Sequence, residues 1–130
     1  MEDFIDKIEL KLPLKPEYVR IARLAVSGIA SRMGIDIETI EDIKVAISEV
    51  CNKLVENKGT SANDYVISFY VCPDRLVIAF SSDDPELGSV IKINMDDFGI
   101  SLIEAFMDKT ETCPDNKGIL IMTKMLKGSV

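Results

Sequence analysis

Histidine is absent from this chain of 130 residues, and cysteine occurs only three times. Without histidine, Ser-His-Asp catalysis, Cys-His catalysis and histidine-bound metals are excluded. Cys51, Cys72 and Cys113 are widely spaced and form no CxxC pair. This odd, scattered set fits neither a disulfide framework nor a zinc site, so we predict a reducing compartment and no metal bound by these side chains.

The chain also shows no signal-peptide pattern, no membrane-length apolar run and no basic run. Its start, MEDFIDK, is acidic, and its longest apolar stretch, YVISFYVC, is far shorter than a membrane-spanning helix. The formal net charge of -7 disfavours nucleic-acid binding, because Lys and Arg must neutralise the phosphates there. We therefore expect a soluble, cytoplasmic protein without nucleic-acid or membrane partners.

Apolar residues make up 47% of the chain, which supports a packed core, and the length suits a single domain over residues 1–130. Apolar periodicity and turn residues predict the order strand, two helices, two strands, helix, two strands. Helices grouped against a mainly antiparallel sheet make an α+β fold, a two-layer α/β sandwich with three helices on one face. The predicted elements lie at residues 7–12, 16–34, 36–57, 65–71, 75–81, 96–109, 110–113 and 118–126.

Three- and four-residue steps predict which side of each helix is buried. The first helix is predicted to bury Tyr18, Ile21, Leu24, Ala25, Gly28 and Ile29. The second is predicted to bury Ile40, Ile43, Ile47, Val50 and Leu54, and the third Ile100, Ile103, Phe106 and Met107.

Long stretches of the chain resemble a known family. LKLPLKPEYVRIARLAVSGIASRMGIDIETIEDIKVAISEVCNK resembles the N-terminal half of the anti-sigma factor serine kinases of the RsbW and SpoIIAB type. DFGISLIEAFMDKTE resembles their second glycine box with its helix, and YVISFYVCPDRLVIAF fits the hairpin between. These kinases belong to the GHKL ATPase superfamily and share the Bergerat (histidine-kinase-like ATPase) fold.

The resemblance implies a regulator that binds a sigma factor and holds it away from RNA polymerase. It also implies ATP and Mg²⁺ as cofactors, phosphorylation of a serine on a STAS-domain antagonist, and a homodimer. In this family the first helix contributes to partner contacts, so Arg20 and Arg23 are the candidate partner-binding residues.

The family's second helix carries a glutamate that orients or deprotonates the attacking hydroxyl and, four residues later, an asparagine that helps to hold Mg²⁺. Glu49 matches the glutamate, but Lys53 occupies the asparagine position. Lysine cannot ligate Mg²⁺, because its ammonium has three donors and no lone pair. Asn52 lies roughly 100° further round the helix and is a poor substitute. From spacing alone, an i,i+4 ion pair between Glu49 and Lys53 is expected, with a nucleotide role for Glu49 as the alternative.

After the third strand, the family places an aspartate that accepts the adenine amino group, closely followed by a glycine. Alignment on RLVIAF places Ser82 at the aspartate and Asp83 one residue later, and no glycine follows until Gly88. We expect a solvated acidic turn here. A shifted loop that brings Asp83 inward is the alternative.

The lid and the second glycine box also depart from the family. The connection from Asp83 to Asn94 is only about a dozen residues, which predicts a short or missing ATP lid. Of the family's G-x-G only Gly99 is kept, and Asp97 stands at the other glycine. A carboxylate is unfavourable beside phosphate, whereas Asp96 or Asp97 is a good helix cap.

The leading hypothesis is an anti-sigma-like partner-switching protein that binds a sigma factor, a STAS-domain antagonist or both, with its ATP-dependent serine kinase activity weakened or lost. The alternative is an active ATP-binding serine kinase in which Glu49 is the base and Asn52 or Asp83 takes a shifted role. A third hypothesis is a dimeric scaffold with a different ligand in the cleft.

Overall fold

The computed structural model describes residues 3–57, 63–84, 86–87, 98–112 and 118–126. Its elements follow the predicted order, with ends that differ by a few residues. The strands are β1 (Asp6–Pro13), β2 (Asp64–Val71), β3 (Arg75–Ser81), β4 (Lys109–Thr112) and β5 (Gly118–Met125). The helices are α1 (Val19–Arg32), which follows a 3-10 turn at Pro16–Tyr18, α2 (Ile37–Glu56) and α3 (Phe98–Phe106).

The five strands form one sheet in the order β1-β2-β3-β5-β4, and every neighbouring pair is antiparallel. β2 and β3 form the predicted hairpin, closed by the Cys72 N–H donating to the Arg75 carbonyl at 3.0 Å. β1 and β4 are the edges of the sheet. The prediction of an α+β sandwich with an antiparallel sheet is confirmed.

The core lies between the helices and one face of the sheet. All five residues predicted for the buried side of α2 are buried, which confirms that stripe. The strands contribute alternate residues, because successive side chains of a strand point to opposite faces. On the two central hairpin strands these are Tyr65, Ile67, Phe69, Leu76, Ile78 and Phe80.

The prediction for the buried side of α1 is wrong in part. Ile21 and Leu24 are 39% and 70% exposed, and Gly28 is also exposed, whereas Tyr18, Ala25 and Ile29 are half-buried. The residues that α1 buries are smaller: Val19, Ala22, Val26 and Ala30. This helix is apolar around much of its circumference, so periodicity alone predicts two possible buried sides.

The ends of the first two helices follow the predicted signals. α1 stops before Gly34, which adopts a positive φ of 81°, a conformation that favours glycine. Asp36 caps α2, because its carboxylate accepts the Thr39 N–H at 2.8 Å. None of the helices described is both long enough and apolar enough to cross a bilayer.

α3 packs against α2 and buries Ile103, with Phe106 half-buried, and Met107 is buried directly after the helix ends, so these three residues face the predicted side. Several predictions lie outside the described residues: the side chain of Ile100, the cap at Asp96 or Asp97, most of the short lid, and Cys113.

Candidate functional site

The residues predicted for catalysis lie in the C-terminal half of α2. The buried side of this helix, which includes Val50 and Leu54, fixes the direction in which the other side chains point. Glu49 and Lys53 are half-buried, whereas Asn52 is exposed. Residues four apart share one side of a helix, so Glu49 and Lys53 are neighbours and Asn52 lies on another flank.

The predicted ion pair between Glu49 and Lys53 is wrong. The ion pairs that join described residues do not include these two, and Lys53 has another interaction partner. The physical reason is the small gain from such a pair, about 0.2–0.5 kcal/mol, which other rotamers and contacts easily offset. The two side chains share a side of the helix without neutralising each other.

The donor atoms near Glu49 do not match the needs of Mg²⁺, which takes oxygen ligands in near-octahedral geometry. Lys53 supplies only N–H donors at the position where the family resemblance predicts an amide oxygen. Within the described part of the chain, no three Cys, Asp or Glu side chains come together as a metal site would require. The residues present therefore do not fit a magnesium ion held in the family's manner.

The segment after β3 turns Ser82 inward and Asp83 outward. Ser82 is only 6% exposed, and its hydroxyl oxygen accepts the Asp84 N–H at 3.1 Å. Asp83 is exposed, although it does have an interaction partner. Ser82 thus places a hydroxyl, which already accepts a hydrogen bond within the turn, where the family resemblance implies an aspartate that binds the adenine amino group.

The remaining predicted site residue, Gly99, lies in the first turn of α3 as the structure describes that helix. The residues before Phe98, which include Asp97, are outside the description. The start of α3 and the C-terminal half of α2 belong to helices that pack against each other.

A second group of predicted residues, Arg20 and Arg23, lines a groove of about 520 Å³ at the start of α1. Both arginines are exposed, and neither has an ion-pair partner among the described residues. Leu24 and Lys44 line the same groove. The Lys44 ammonium lies 3.2 Å from the Glu41 carboxylate, so its charge is already partly neutralised.

Leu24 and Lys44 were missed by sequence reasoning. Leu24 was assigned to the buried stripe of α1, although its step of four from Arg20 is an available signal that both lie on one side of the helix. Lys44 lies on α2, and only the packing of α2 beside α1 brings it to the groove. The result is a surface with an exposed leucine beside two guanidinium groups that form no ion pair with any described residue.

Cys51, on the buried side of α2, is ruled out as a nucleophile at neutral pH. It is completely buried, and burial raises the pKa of its thiol to about 11, although a hydrogen bond with Tyr65 acts in the opposite direction. Burial also raises the pKa of the Tyr65 phenol. Both groups remain protonated near neutrality, so neither supplies the anion that nucleophilic attack needs.

Comparisons with known proteins agree with this fold. A family model described as a histidine kinase-like ATPase domain matches residues 12–124. The serine-protein kinase RsbW of Bacillus pumilus is 37% identical over 97% of this chain and 90% of its own length. RsbW of Bacillus subtilis is 34% identical over 98% and 91%, and RsbW of Listeria innocua is 33% identical over 93% and 88%.

The match to the Bacillus pumilus protein spans 145 aligned positions. It uses 97% of the 130 residues here, which is about 126, so the relative carries about 19 residues that this chain lacks within the matched region. The match nevertheless covers almost the whole of this chain. The chain therefore belongs to the histidine kinase-like ATPase domain family, among the serine-protein kinases of the RsbW type.

Proposed function

We propose that this chain is an anti-sigma-like partner-switching protein whose ATP-dependent serine kinase activity is weakened or lost. It binds a sigma factor, a STAS-domain antagonist or both, and it acts as a homodimer. The observation that carries the proposal is Lys53, which the family resemblance aligns with the magnesium-binding asparagine, in a chain whose match to the family model spans residues 12–124. An ammonium there repels Mg²⁺ and cannot coordinate it.

Two further features support weak or absent binding of ATP and Mg²⁺. The inward position after β3 is Ser82, whose hydroxyl already accepts a hydrogen bond from the turn. The chain also has about 19 fewer residues than its Bacillus pumilus relative in the matched region, in keeping with a short lid. A short lid leaves little chain to exclude water from a triphosphate.

The groove beside Arg20 and Arg23 supports the partner-binding part of the proposal. Unpaired guanidinium groups recognise carboxylates, and the exposed Leu24 adds apolar surface. A partner that presents acidic and apolar side chains from one segment fits both properties.

Calorimetric titration with Mg-ATP and Mg-ADP tests the loss of nucleotide binding. We expect no micromolar binding, because the magnesium ligand is replaced by a cation. Micromolar affinity that falls in Glu49→Ala or Asp83→Ala would contradict a degenerate site.

A double variant, Lys53→Asn with Ser82→Asp, tests whether these two positions alone explain the loss. We expect that it still fails to bind Mg-ATP in the micromolar range, since the short lid is unchanged. Lys53→Asn alone is the matched control for any change in folding, measured by thermal unfolding. Restored binding in the double variant would show that the lid is not limiting.

Co-purification with sigma factors and STAS-domain proteins of the source organism, each expressed separately with a tagged copy of this chain, tests the partners. We expect retention of at least one protein from these classes. If none is retained, the dimeric scaffold with a different ligand becomes the better description.

The active kinase stands as a second candidate, favoured by the matching position of Glu49 and by relatives named serine-protein kinases. It predicts transfer of radiolabelled phosphate from ATP to a retained STAS-domain partner. It also predicts that Glu49→Gln abolishes the transfer while leaving the co-purification intact.

A further inference from the structure

β1 is an edge of the sheet, and β2 is its one neighbour there. Just beyond β1, the Leu14 N–H donates to the Asn63 carbonyl at 2.9 Å, and hydrogen-bonded pairs of an antiparallel ladder recur at every second residue. The register places the even-numbered residues of β1 in the same phase as Leu14, so their backbone groups bond to β2. The backbone groups of Lys7, Glu9 and Lys11 therefore point away from the sheet, where no strand of the described chain pairs with them.

The side of β1 that faces the helices loses its cover toward the start of the strand. Leu12 is 3% exposed, Leu10 is half-buried and Ile8 is 42% exposed, although alternation places all three on this side. Ile5, just before the strand, is 66% exposed. The helical layer therefore covers the end of β1 and leaves its beginning open.

α1 has an apolar side above the same edge. Steps of three and four residues place four positions on this side: Ile21, Ala25, Gly28 and Ile29. Ile21 and Gly28 are exposed, and Ala25 and Ile29 are only half-buried. The sequence pattern predicts that this side is buried, but the sheet ends at β1, so no described strand lies beneath it.

Between α1 and the start of β1 lies a cavity of about 550 Å³, here called the edge cavity. Its walls are mainly apolar, with Ile5 and Ile8 on the strand side and Ile29 and Met33 on the helix side. Gly28 also lines it and leaves room, because a Cβ there would meet nothing within 4 Å. A cavity of this size accommodates the apolar side chains of a binding partner.

The charges at the edge cavity are of both signs. Arg32 and Asp6 line it, and the ion pairs of the described residues include neither of them. Lys7 lines it too, but its ammonium lies 3.9 Å from the Glu9 carboxylate and 5.4 Å from the centre of the Tyr70 ring. The edge cavity therefore does not favour a ligand of large net charge.

We propose that the open edge of β1 binds an extended segment of a partner protein, which adds to the sheet as a further strand and places apolar side chains in the edge cavity. Backbone pairing satisfies the outward groups of Lys7, Glu9 and Lys11, and the apolar side chains cover the exposed side of α1. A small apolar molecule would leave the backbone groups unpaired, whereas a peptide strand fits both features. This surface is separate from the groove at Arg20 and Arg23, so the inference goes beyond the proposed function.

The alternation of a strand defines the segment that fits. Its residues that face the helices enter the edge cavity and should be apolar. Its other residues lie beside the side chains of Lys7, Glu9 and Lys11 and should be polar, because these charges disfavour uniformly apolar strands. Binding through backbone pairing and apolar burial should change little with salt, unlike binding at the Arg20 and Arg23 groove.

A phage-displayed library of random peptides, each at least as long as the 8 residues of β1, supplies probes for the full-length chain. We expect selection on wild type to recover peptides in which apolar and polar residues alternate. Synthetic, fluorescently labelled copies of these peptides are then titrated with each variant, and fluorescence anisotropy measures the affinity.

Two variants alter the surface independently. Glu9→Pro removes an outward N–H without removing a bond to β2, at a position where edge strands tolerate proline, and Glu9→Ala is the matched control for the lost side chain. Gly28→Leu fills the edge cavity from α1, and Gly28→Ala is its control. We expect Glu9→Pro and Gly28→Leu each to weaken binding at least about tenfold, and both alanine variants to bind like wild type.

Hydrogen exchange locates the bound peptide. In the free chain, the N–H groups of Lys7, Glu9 and Lys11 should exchange faster than those of Ile8 and Leu10, and the bound peptide should slow the first group at least about tenfold. If the first group already exchanges slowly in the free chain, at a rate that depends on protein concentration, a second copy pairs at this edge and the proposal is overturned.

Three other outcomes also overturn the proposal. Peptides whose binding is lost in Gly28→Leu but kept in Glu9→Pro occupy the edge cavity without strand pairing. Peptides whose binding is lost only in Arg20→Glu with Arg23→Glu use the groove of the proposed function, which then stands without the edge. Recovery of no peptide that distinguishes Glu9→Pro from Glu9→Ala rejects the added strand, and circular dichroism shows whether each variant is folded.

Discussion

The buried thiol of Cys51 makes the stability of the fold depend on pH. It lies on the side of α2 that faces the sheet, hydrogen-bonded with Tyr65, and burial raises its pKa to about 11. The folded chain therefore keeps this proton at pH values where the unfolded chain, with an ordinary thiol pKa of about 8.5, releases it.

The stability of the chain should consequently fall as pH rises from about 8.5 to about 11. The stabilisation is complete below the ordinary thiol pKa and is lost as the pH approaches the folded pKa. In Cys51→Ala, urea unfolding under reducing conditions should show a shallower fall over this range. Cys72, whose pKa burial also raises, is present in both proteins and cancels. Equal slopes in the two proteins would refute the assignment to Cys51.

At the scale of elements, α1 contains a glycine at a position where the helical backbone does not require one. Gly28 lies in the middle of the helix, and a Cβ placed on it would meet nothing within 4 Å. Gly34, just beyond the helix, has a positive φ of 81° and also has open space around it. The two positions differ in backbone conformation and not in room.

Gly28→Ala should stabilise the chain by about 0.5–1 kcal/mol, because alanine has the better helix propensity. Gly34→Ala should destabilise it by about 1–2 kcal/mol, since an L-residue is strained in the left-handed region. The measurement is the free energy of unfolding from urea denaturation with matched m-values. Equal effects at the two sites would contradict the conformational explanation.

The two long helices also show how far the sequence predicts the fold. For α2 the predicted stripe is confirmed, since all five of its residues are buried. For α1 the stripe is wrong at Ile21, Leu24 and Gly28, because the helix offers apolar residues on more than one side. Tertiary packing buries the side that carries the alanines, and the periodicity of apolar residues does not predict this choice.

The candidate site was likewise predicted only in part from the sequence. Motif spacing correctly placed Glu49 and Lys53 on one side of α2, since that depends only on helix geometry. The prediction of an ion pair between them was wrong, because the rotamer of each side chain also depends on its contacts with other elements. Lys44 joins Arg20 and Arg23 only through the packing of two helices, which no local pattern encodes.

For the whole molecule, the distribution of charge matters more than its sum. The formal net charge is -7, yet Arg20, Arg23 and Lys44 converge on one groove. A local cationic groove on an acidic protein repels most acidic proteins at long range and attracts a carboxylate only at close approach. Such an arrangement favours selective recognition over tight non-specific binding.

Reversing this local charge should separate partner binding from fold. We expect Arg20→Glu with Arg23→Glu to weaken binding of a retained sigma factor or STAS-domain protein by about 10- to 100-fold, because both guanidinium groups are replaced by repelling carboxylates. Arg32→Glu is the matched control, since Arg32 is exposed at the opposite end of α1 and does not line this groove. Surface plasmon resonance at two salt concentrations measures both affinities, and the wild-type affinity should fall as salt rises. An equal loss in the control, or unchanged binding in the double variant, would place the partner on another surface.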